Sequence, residues 1–293
     1  MKLITKTLPD NQNLFLFGDE HEGSCLSSQS AWEALVDMIN SKYEECDNNY
    51  AASTGDEMEA IMVDDRRYSA DKLHPPEDKP AEPLPLTQAR IAIVRRKPIA
   101  KQLLYMLEGN HNRTLWRFGN MTEFIAGELG VPYGTYTTKL TVRTGGFVDS
   151  PMYKLFHTHG SRTITSTADD PIRRRTNMEL ILKRQLKFKA GDCAVMVKGH
   201  AHKLLVTRPE ANLYLVDDGE KIKQRYTGGG QREEYIHPDA RWYGCTGSLL
   251  RLYLDGVSGY AELGEYDPVE IGCLVLMVRD RQIVELRRIV LPV

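Results

Sequence analysis

At 293 residues the chain exceeds a minimal domain and has room for one large α/β unit with a sizeable core. Charged residues make up 27% and hydrophobic ones 41%, and a formal net charge of −2 excludes whole-molecule steering onto nucleic acid or an anionic membrane. The five cysteines, Cys25, Cys46, Cys193, Cys245 and Cys273, are scattered without a Cys-x-x-Cys pair. That pattern excludes a disulfide framework and a thiolate zinc site and fits a reducing, cytoplasmic setting.

The N-terminal residues lack the apolar core of a signal peptide, and no run approaches the roughly 18 apolar residues of a membrane span, so no membrane partner is expected. Leu14, Phe15, Leu16 and Phe17 form an apolar run that Gly18 ends, which predicts a buried strand delivering Asp19 and His21 on one side of its tip. Ser30 and Glu33 read as a capping box for a helix over 31–43, with Ala34, Leu35, Met38 and Ile39 at helical spacing. A short strand at 50–54 then ends in Gly55 and Asp56.

The stretch 66–86 holds Pro75, Pro76, Pro80, Pro83 and Pro85 among charges, and is expected as an extended surface excursion. A helix over 87–96 is halted by Pro98, and a strand over 102–107 ends in Gly109, Asn110, His111 and Asn112. A helix over 122–129 closes on Gly130, alternation over 133–142 predicts strands, and a strand at 152–156 delivers His157 and His159. From 177 to 188, Met178, Ile181, Leu182 and Leu186 mark the apolar face of a helix, and a buried strand at 193–197 ends in Gly199, His200 and His202. From about 204 the chain becomes β-rich, with strands expected at 204–207, 212–216, 249–254, 259–262 and 274–278. An early βαβ pattern followed by strands points to a sheet sandwich flanked by helices.

Five apolar runs thus end in Gly-flanked clusters: Asp19 and His21, Asp56, Asn110 and His111, His157 and His159, His200 and His202. Six of the eight histidines fall in these clusters. Ligands of α/β sheets gather at strand tips, so the clusters are expected to converge. Oxygen and imidazole donors without thiolates suit Mn²⁺, Fe, Zn²⁺, Ni²⁺ or Mg²⁺.

The order Gly-Asp-x-His, Gly-Asp, Gly-Asn-His, a strand histidine and Gly-His-x-His, spread over roughly residues 14–202, resembles the calcineurin-like metallophosphoesterase superfamily, whose phage and bacterial members include nucleases. The resemblance implies an α/β fold, a four-layer αββα sandwich, here a single domain over 1–293, and two divalent metal ions, with Mn²⁺ placed first. By motif, Asp19, His21 and His202 resemble ligands of the first metal, Asp56 bridges both, and Asn110, His159 and His200 bind the second. His159 is preferred to His157 because it precedes Gly160. His111 resembles the histidine that contacts the substrate phosphate and helps to protonate the leaving group, with Asn110 beside it, whereas Asn112 stands where many members carry an acidic residue.

Two cations about 4 Å apart can generate hydroxide from a bridging water at neutral pH and neutralise phosphate oxygens. Asp56 suits the bridge with its two oxygens, and a cationic His111 suits a departing oxygen. The expected activity is therefore hydrolysis of phosphate esters, leaning to phosphodiesters of nucleotides or nucleic acid. Phosphomonoesters, phosphoproteins among them, and a non-catalytic scaffold are the alternatives. Arg173, Arg174 and Arg175, with Lys183, Arg184, Lys187 and Lys189, form either a phosphate-tracking substrate surface or a solvated helix face. His237, Arg241, Trp242, Tyr243, Thr246 and Ser248 either line the substrate pocket or pack the β-rich part.

Overall fold

The computed structural model describes residues 1–65, 68, 84–145, 151–228, 230–231, 234–257 and 260–293; most of the proline-rich stretch at 66–86, with His74, lies outside them. In chain order the elements begin β1 (Lys2–Thr7), β2 (Gln12–Phe17), α1 (Gln29–Asn40), β3 (Asn49–Ser53), α2 (Leu84–Arg96) and β4 (Leu103–Met106). There follow α3 (Asn110–Thr114), α4 (Met121–Glu128), β5 (Thr137–Arg143), β6 (Tyr153–Thr158), α5 (Pro171–Leu186), β7 (Val195–Lys198) and β8 (Leu204–Thr207). The rest is β9 (Leu213–Asp217), β10 (Ile222–Tyr226), β11 (Trp242–Thr246), α6 (Tyr260–Leu263), β12 (Gly272–Arg279) and β13 (Gln282–Val290).

These strands build a six-stranded sheet in the order β1-β5-β6-β7-β11-β8 and a five-stranded sheet in the order β13-β12-β2-β3-β4. β2, β3 and β4 are parallel, as are β6, β7 and β11. β2 is buried along its whole length because alternate side chains leave it on opposite faces. Leu14 and Leu16 meet Leu140, Leu155, Val195 and Leu276 between the sheets, whereas Phe15 and Phe17 pack with Trp32, Leu35 and Ile39 of α1. Ala89 and Ala92 of α2 and Ile125 of α4 extend that outer layer. Leu182 and Leu186 of α5 cover Phe156, Met196 and Tyr243 on the far side. The layers are helix, sheet, sheet, helix, which is the αββα sandwich, and β2 is the middle strand of its sheet.

Several local expectations change. Ser28, not Ser30, caps α1, accepting from Ala31 N at 3.3 Å, while the Ser30 hydroxyl meets that of Ser28 at 3.2 Å and donates to Pro292 O at 3.5 Å. α5 starts at Pro171, on an Asp170 cap that accepts from Arg173 N at 2.7 Å, so Arg173, Arg174 and Arg175 are its first turn rather than a loop before it. Over 249–254 there is no regular strand, and 260–263 is a helical turn, not a strand. β1, β10, β11 and β13 carry no signal used above. Among the described residues no helix is long and apolar enough to cross a membrane.

Candidate metal centre

Because β2, β3 and β4 are parallel, their C-terminal tips emerge together and deliver Asp19 and His21, Asp56, and Asn110 and His111. β6 and β7 deliver His159, and His200 with His202, from the facing sheet. The first two tips are zipped by their backbones: Asp19 N donates to Gly55 O at 2.9 Å, His21 N to Asp56 O at 3.1 Å and Glu22 N to Glu57 O at 3.0 Å. Asp19, His21, Asp56, His200 and His202 have φ of 53°, 52°, 54°, 66° and 48°. A non-glycine residue held in this left-handed region costs on the order of 1–3 kcal/mol, and such strain persists where surrounding structure fixes it. Five strained residues at one place aim their side chains into one space.

Among the described residues that space contains three donor groups, one of them His21, Glu59 and His111. Asp19, His21 and His202 bring one donor atom each within 4.8 Å of one another, and Asp56, His159 and His200 do the same. His202 Nε2 stands 3.2 Å from Asp19 Oδ1, and His159 Nε2 stands 3.2 Å from Asp56 Oδ2. Asn110 Oδ1 lies 2.6 Å from His200 Nδ1 and 2.9 Å from His159 Nε2. All seven residues expected as metal ligands therefore meet. His21 Nε2 is buried without a hydrogen bond, and such an orphaned atom is costly unless something polar fills the gap. Carboxylate, amide oxygen and imidazole donors fit a divalent cation of the Mn²⁺, Fe or Zn²⁺ kind.

The electrostatics agree. Burial pushes the Asp19 and Asp56 carboxyls up, but His202 beside the one and His159 beside the other outweigh it and hold both below their ordinary range. Burial alone depresses His21 and His159; the Glu59 carboxylate next to His21, and Asp56 next to His159, outweigh it and hold both at about 9. The field that keeps protons on these two rings is one a divalent cation neutralises. Burial together with His159 pushes His200 down to about 4 and His157 to about 3.

His111 lines the same cavity, of about 450 Å³, with Ile164, Leu252, Tyr266 and Val269. Its backbone N–H donates to Asp56 Oδ1 at 2.8 Å, and its Nδ1 meets the Glu59 carbonyl. The side chain of Asn112 turns away to Thr122 Oγ1 at 2.9 Å. Glu59, which the sequence pattern did not single out, thus touches two of the clustered histidines, since its carboxylate also meets His21 Nδ1 at 2.9 Å. His157 is fully buried between the sheets, bonded to Thr54 Oγ1 at 3.0 Å and Tyr105 Oη at 2.9 Å, and is in none of the donor groups.

Arg173, Arg174 and Arg175 do not line the cavity. Arg174 donates to the carbonyls of Ala168 and Asp169, and Arg175 to Glu179. Arg241 is fully buried and donates to the carbonyls of Ile236, Lys187 and Ala190, a packing role. Ser248 is the one member of its group that touches the centre, donating to Asp19 O at 2.9 Å. Beneath the tips, buried Arg96 pairs with Glu20 at 2.8 Å and Arg95 pairs with Glu22. Burial raises Glu20 to about 8 and Glu57 to about 7 against the pull of Arg96.

No protein-family model and no curated protein matches the sequence. Among solved structures, the chain is similar to a conserved uncharacterised protein of Streptococcus pneumoniae TIGR4 described as a predicted phosphoesterase, at 13% identity and a TM-score of 0.29, over 96% of this chain and 98% of that one. A metallophosphoesterase from Sphaerobacter thermophilus aligns at 13% identity and a TM-score of 0.38, over 96% and 89% of the two chains. The NAD nucleotidase of Haemophilus influenzae aligns at 12% identity and a TM-score of 0.37 over 96% of this chain, which spans 50% of that protein's length.

Proposed function

We propose that the chain is a metal-dependent phosphoesterase whose centre takes two divalent cations, Mn²⁺ first among them, and that its substrate is a phosphodiester of the nucleotide or nucleic-acid class. The observation that carries this reading is the convergence of seven donor residues from five strand tips, five of them lining one cavity, with His21 Nε2 buried there without a hydrogen bond. In it, Asp19, His21 and His202 would hold one cation and Asn110, His159 and His200 the other, with the Asp56 carboxylate shared between them. Bound there, the pair supplies an acidified water and positive charge for the phosphate oxygens.

The remaining work falls to the chain's own groups. The Glu59 carbonyl accepts the His111 Nδ1 proton, which leaves Nε2 as the atom that passes a proton to the departing oxygen. The Asp56 carboxylate, by accepting from His111 N, fixes that ring relative to the bridge. Ile164, Leu252 and Val269 wall the cavity with apolar surface and reduce water around the reacting phosphate.

Protein stripped of metal and reloaded with Mn²⁺ is expected to hold two ions per chain and to hydrolyse an aryl phosphodiester faster than the matching monoester. Asp56→Asn is expected to lower the rate by about 10³-fold or more, the upper range for losing one charged stabilising group. Undiminished hydrolysis by that variant overturns the reading. A faster monoester reaction replaces the diester preference, and less than one bound ion with no hydrolysis leaves a scaffold.

A further inference from the structure

A second cavity, of about 340 Å³, opens beside the C-terminal end of α5, against Phe156 and Thr158 of β6 and Lys198 of β7. Arg162, Lys189 and Lys198 line it, and none of its lining residues among those described is acidic. Lys198 is 2% exposed. Its ammonium donates to Arg162 O at 2.6 Å and Gln185 Oε1 at 2.8 Å, both neutral acceptors, and a third donor position is left over. A buried cation is ordinarily paired, and three like charges around one hollow repel one another. An anion entering the hollow would relieve that repulsion.

The hollow adjoins the metal centre through one loop. Gly160, Ser161 and Arg162 face it, whereas Thr163, Ile164 and Thr165 wall the metal cavity. Tyr136 belongs to the same boundary: its hydroxyl donates to Gly160 O at 2.6 Å and its ring packs edge-on against His159 with centroids 5.5 Å apart. On the metal cavity's own lining, Glu265 and Asp267 carry negative charge and disfavour a second phosphate there. Guanidinium and ammonium groups together match the oxygens of a phosphoryl group, the Arg162 fork by paired hydrogen bonds and the lysines by charge.

The geometry points to a phosphoryl-anion subsite formed by Arg162, Lys189 and Lys198, which takes a second phosphate of the substrate whose first phosphate lies at the metal centre. The substrate half of this inference rests on the phosphoesterase reading; the anion-binding half does not. Arg162 and Lys189 are exposed and form no ion pair among the described residues, so replacing them leaves the core intact.

The test has two arms. Metal-free protein titrated calorimetrically with inorganic phosphate is expected to bind it, and the Arg162→Ala/Lys189→Ala double variant to bind at least tenfold more weakly with an unchanged melting temperature. No binding, or equal binding by the variant, overturns the subsite. With Mn²⁺-loaded protein, the double variant is expected to raise KM about tenfold for a thymidine dinucleotide bearing a 5′-phosphate while leaving KM for the same dinucleotide without it unchanged. Phosphate binding without this KM split overturns the substrate assignment and makes free phosphate the ligand. Phosphate binding by protein with no hydrolytic activity refutes the phosphoesterase reading and leaves the anion subsite standing.

Discussion

The two sheets contribute unlike halves to the centre. The tips of β2, β3 and β4 bring every oxygen donor, Asp19, Asp56 and Asn110, with His21 and His111, while the tips of β6 and β7 bring only imidazoles. On the oxygen half the two carboxylates, Asp19 and Asp56, are buried while Asn110 and His111 are part-buried, α1, α2 and α4 back the sheet, and Arg96 and Arg95 pair with carboxylates beneath it. On the imidazole half His159 is buried and His200 and His202 are part-buried, and α5 is the helix that covers that sheet's outer face, beside which the basic hollow opens. Anionic ligands repel one another and need a rigid, preorganised frame, whereas imidazoles, which bind a cation in their neutral form, tolerate a looser one.

If that contrast holds, a methyl group added to each half has different consequences. A Cβ on Gly109 would stand 1.9 Å from Asp56 Oδ1 and 2.2 Å from Asp56 N, so Gly109→Ala displaces the Asp56 carboxylate and its strand tip. On the other half, a Cβ on Gly160, at φ +81°, meets Lys198 Cε at 2.9 Å, the far end of a flexible side chain. Gly109→Ala is expected to lose most bound metal and activity, and Gly160→Ala to cost about 1–2 kcal/mol of stability for its left-handed backbone while keeping its metal. Metal content by mass spectrometry and thermal melts of the two variants decide it; equal metal loss breaks the contrast.

A smaller effect is expected one shell out. Glu59→Gln weakens the contact to His21 Nδ1 and removes a negative charge, and loss of such an orienting partner typically costs 10–100-fold in metal affinity. Tyr136→Phe removes only a hydroxyl from the imidazole half, where Tyr136 donates to Gly160 O, and is expected to change affinity by less than about threefold. Mn²⁺ titrations of the two variants rank them, and a larger effect for Tyr136→Phe would reverse the assignment of the rigid half.

The layered sandwich and the convergence at the tips were legible because four of the five apolar runs meet a glycine followed by polar donors and the fifth carries His157 and His159 just before Gly160, a signal contained in a few adjacent residues. β2 reads as a central strand for the same reason, since Leu14, Phe15, Leu16 and Phe17 leave no polar face. What adjacent residues do not encode was missed. Ser28 and Ser30 are both plausible caps, and only the path of the chain into α1 selects Ser28. Glu59 looks like any charge in an acidic loop until the β3 tip folds over His21 and His111. Lys198 reads as the solvated end of a strand, and its burial depends on Gln185 and the Arg162 carbonyl, which arrive from α5 and the next loop. The basic cluster at 173–175 was visible as a run, yet helix formation from Pro171 spends two of its arginines on Asp169, Ala168 and Glu179. The hollow's cations come together only in three dimensions.

The smallest effect separates the stability of the imidazole-bearing sheet from its part in the centre. Asp192, just before β7, accepts from Lys139 Nζ at 2.6 Å and Lys154 Nζ at 2.7 Å and so ties β5 to β6 at the end away from the histidines. Burial pushes its carboxyl up, but hydrogen bonds from the two lysines outweigh it and hold the pKa below the usual carboxylate range. A depressed folded pKa means that the pair stabilises the protein above the unfolded value of about 3.9 and that this contribution is lost as pH falls through the folded value. The groups are partly exposed and screened by solvent, so Asp192→Asn is expected to cost less than about 1 kcal/mol at pH 7. The gap in melting temperature between wild type and variant should close as pH is lowered towards 3 and narrow in high salt, with bound metal at pH 7 unchanged. A gap that persists at low pH would mean that Asp192 acts through packing rather than charge. Loss of metal in this variant would show that the imidazole half depends on the whole sheet, and that its apparent looseness is confined to the tips.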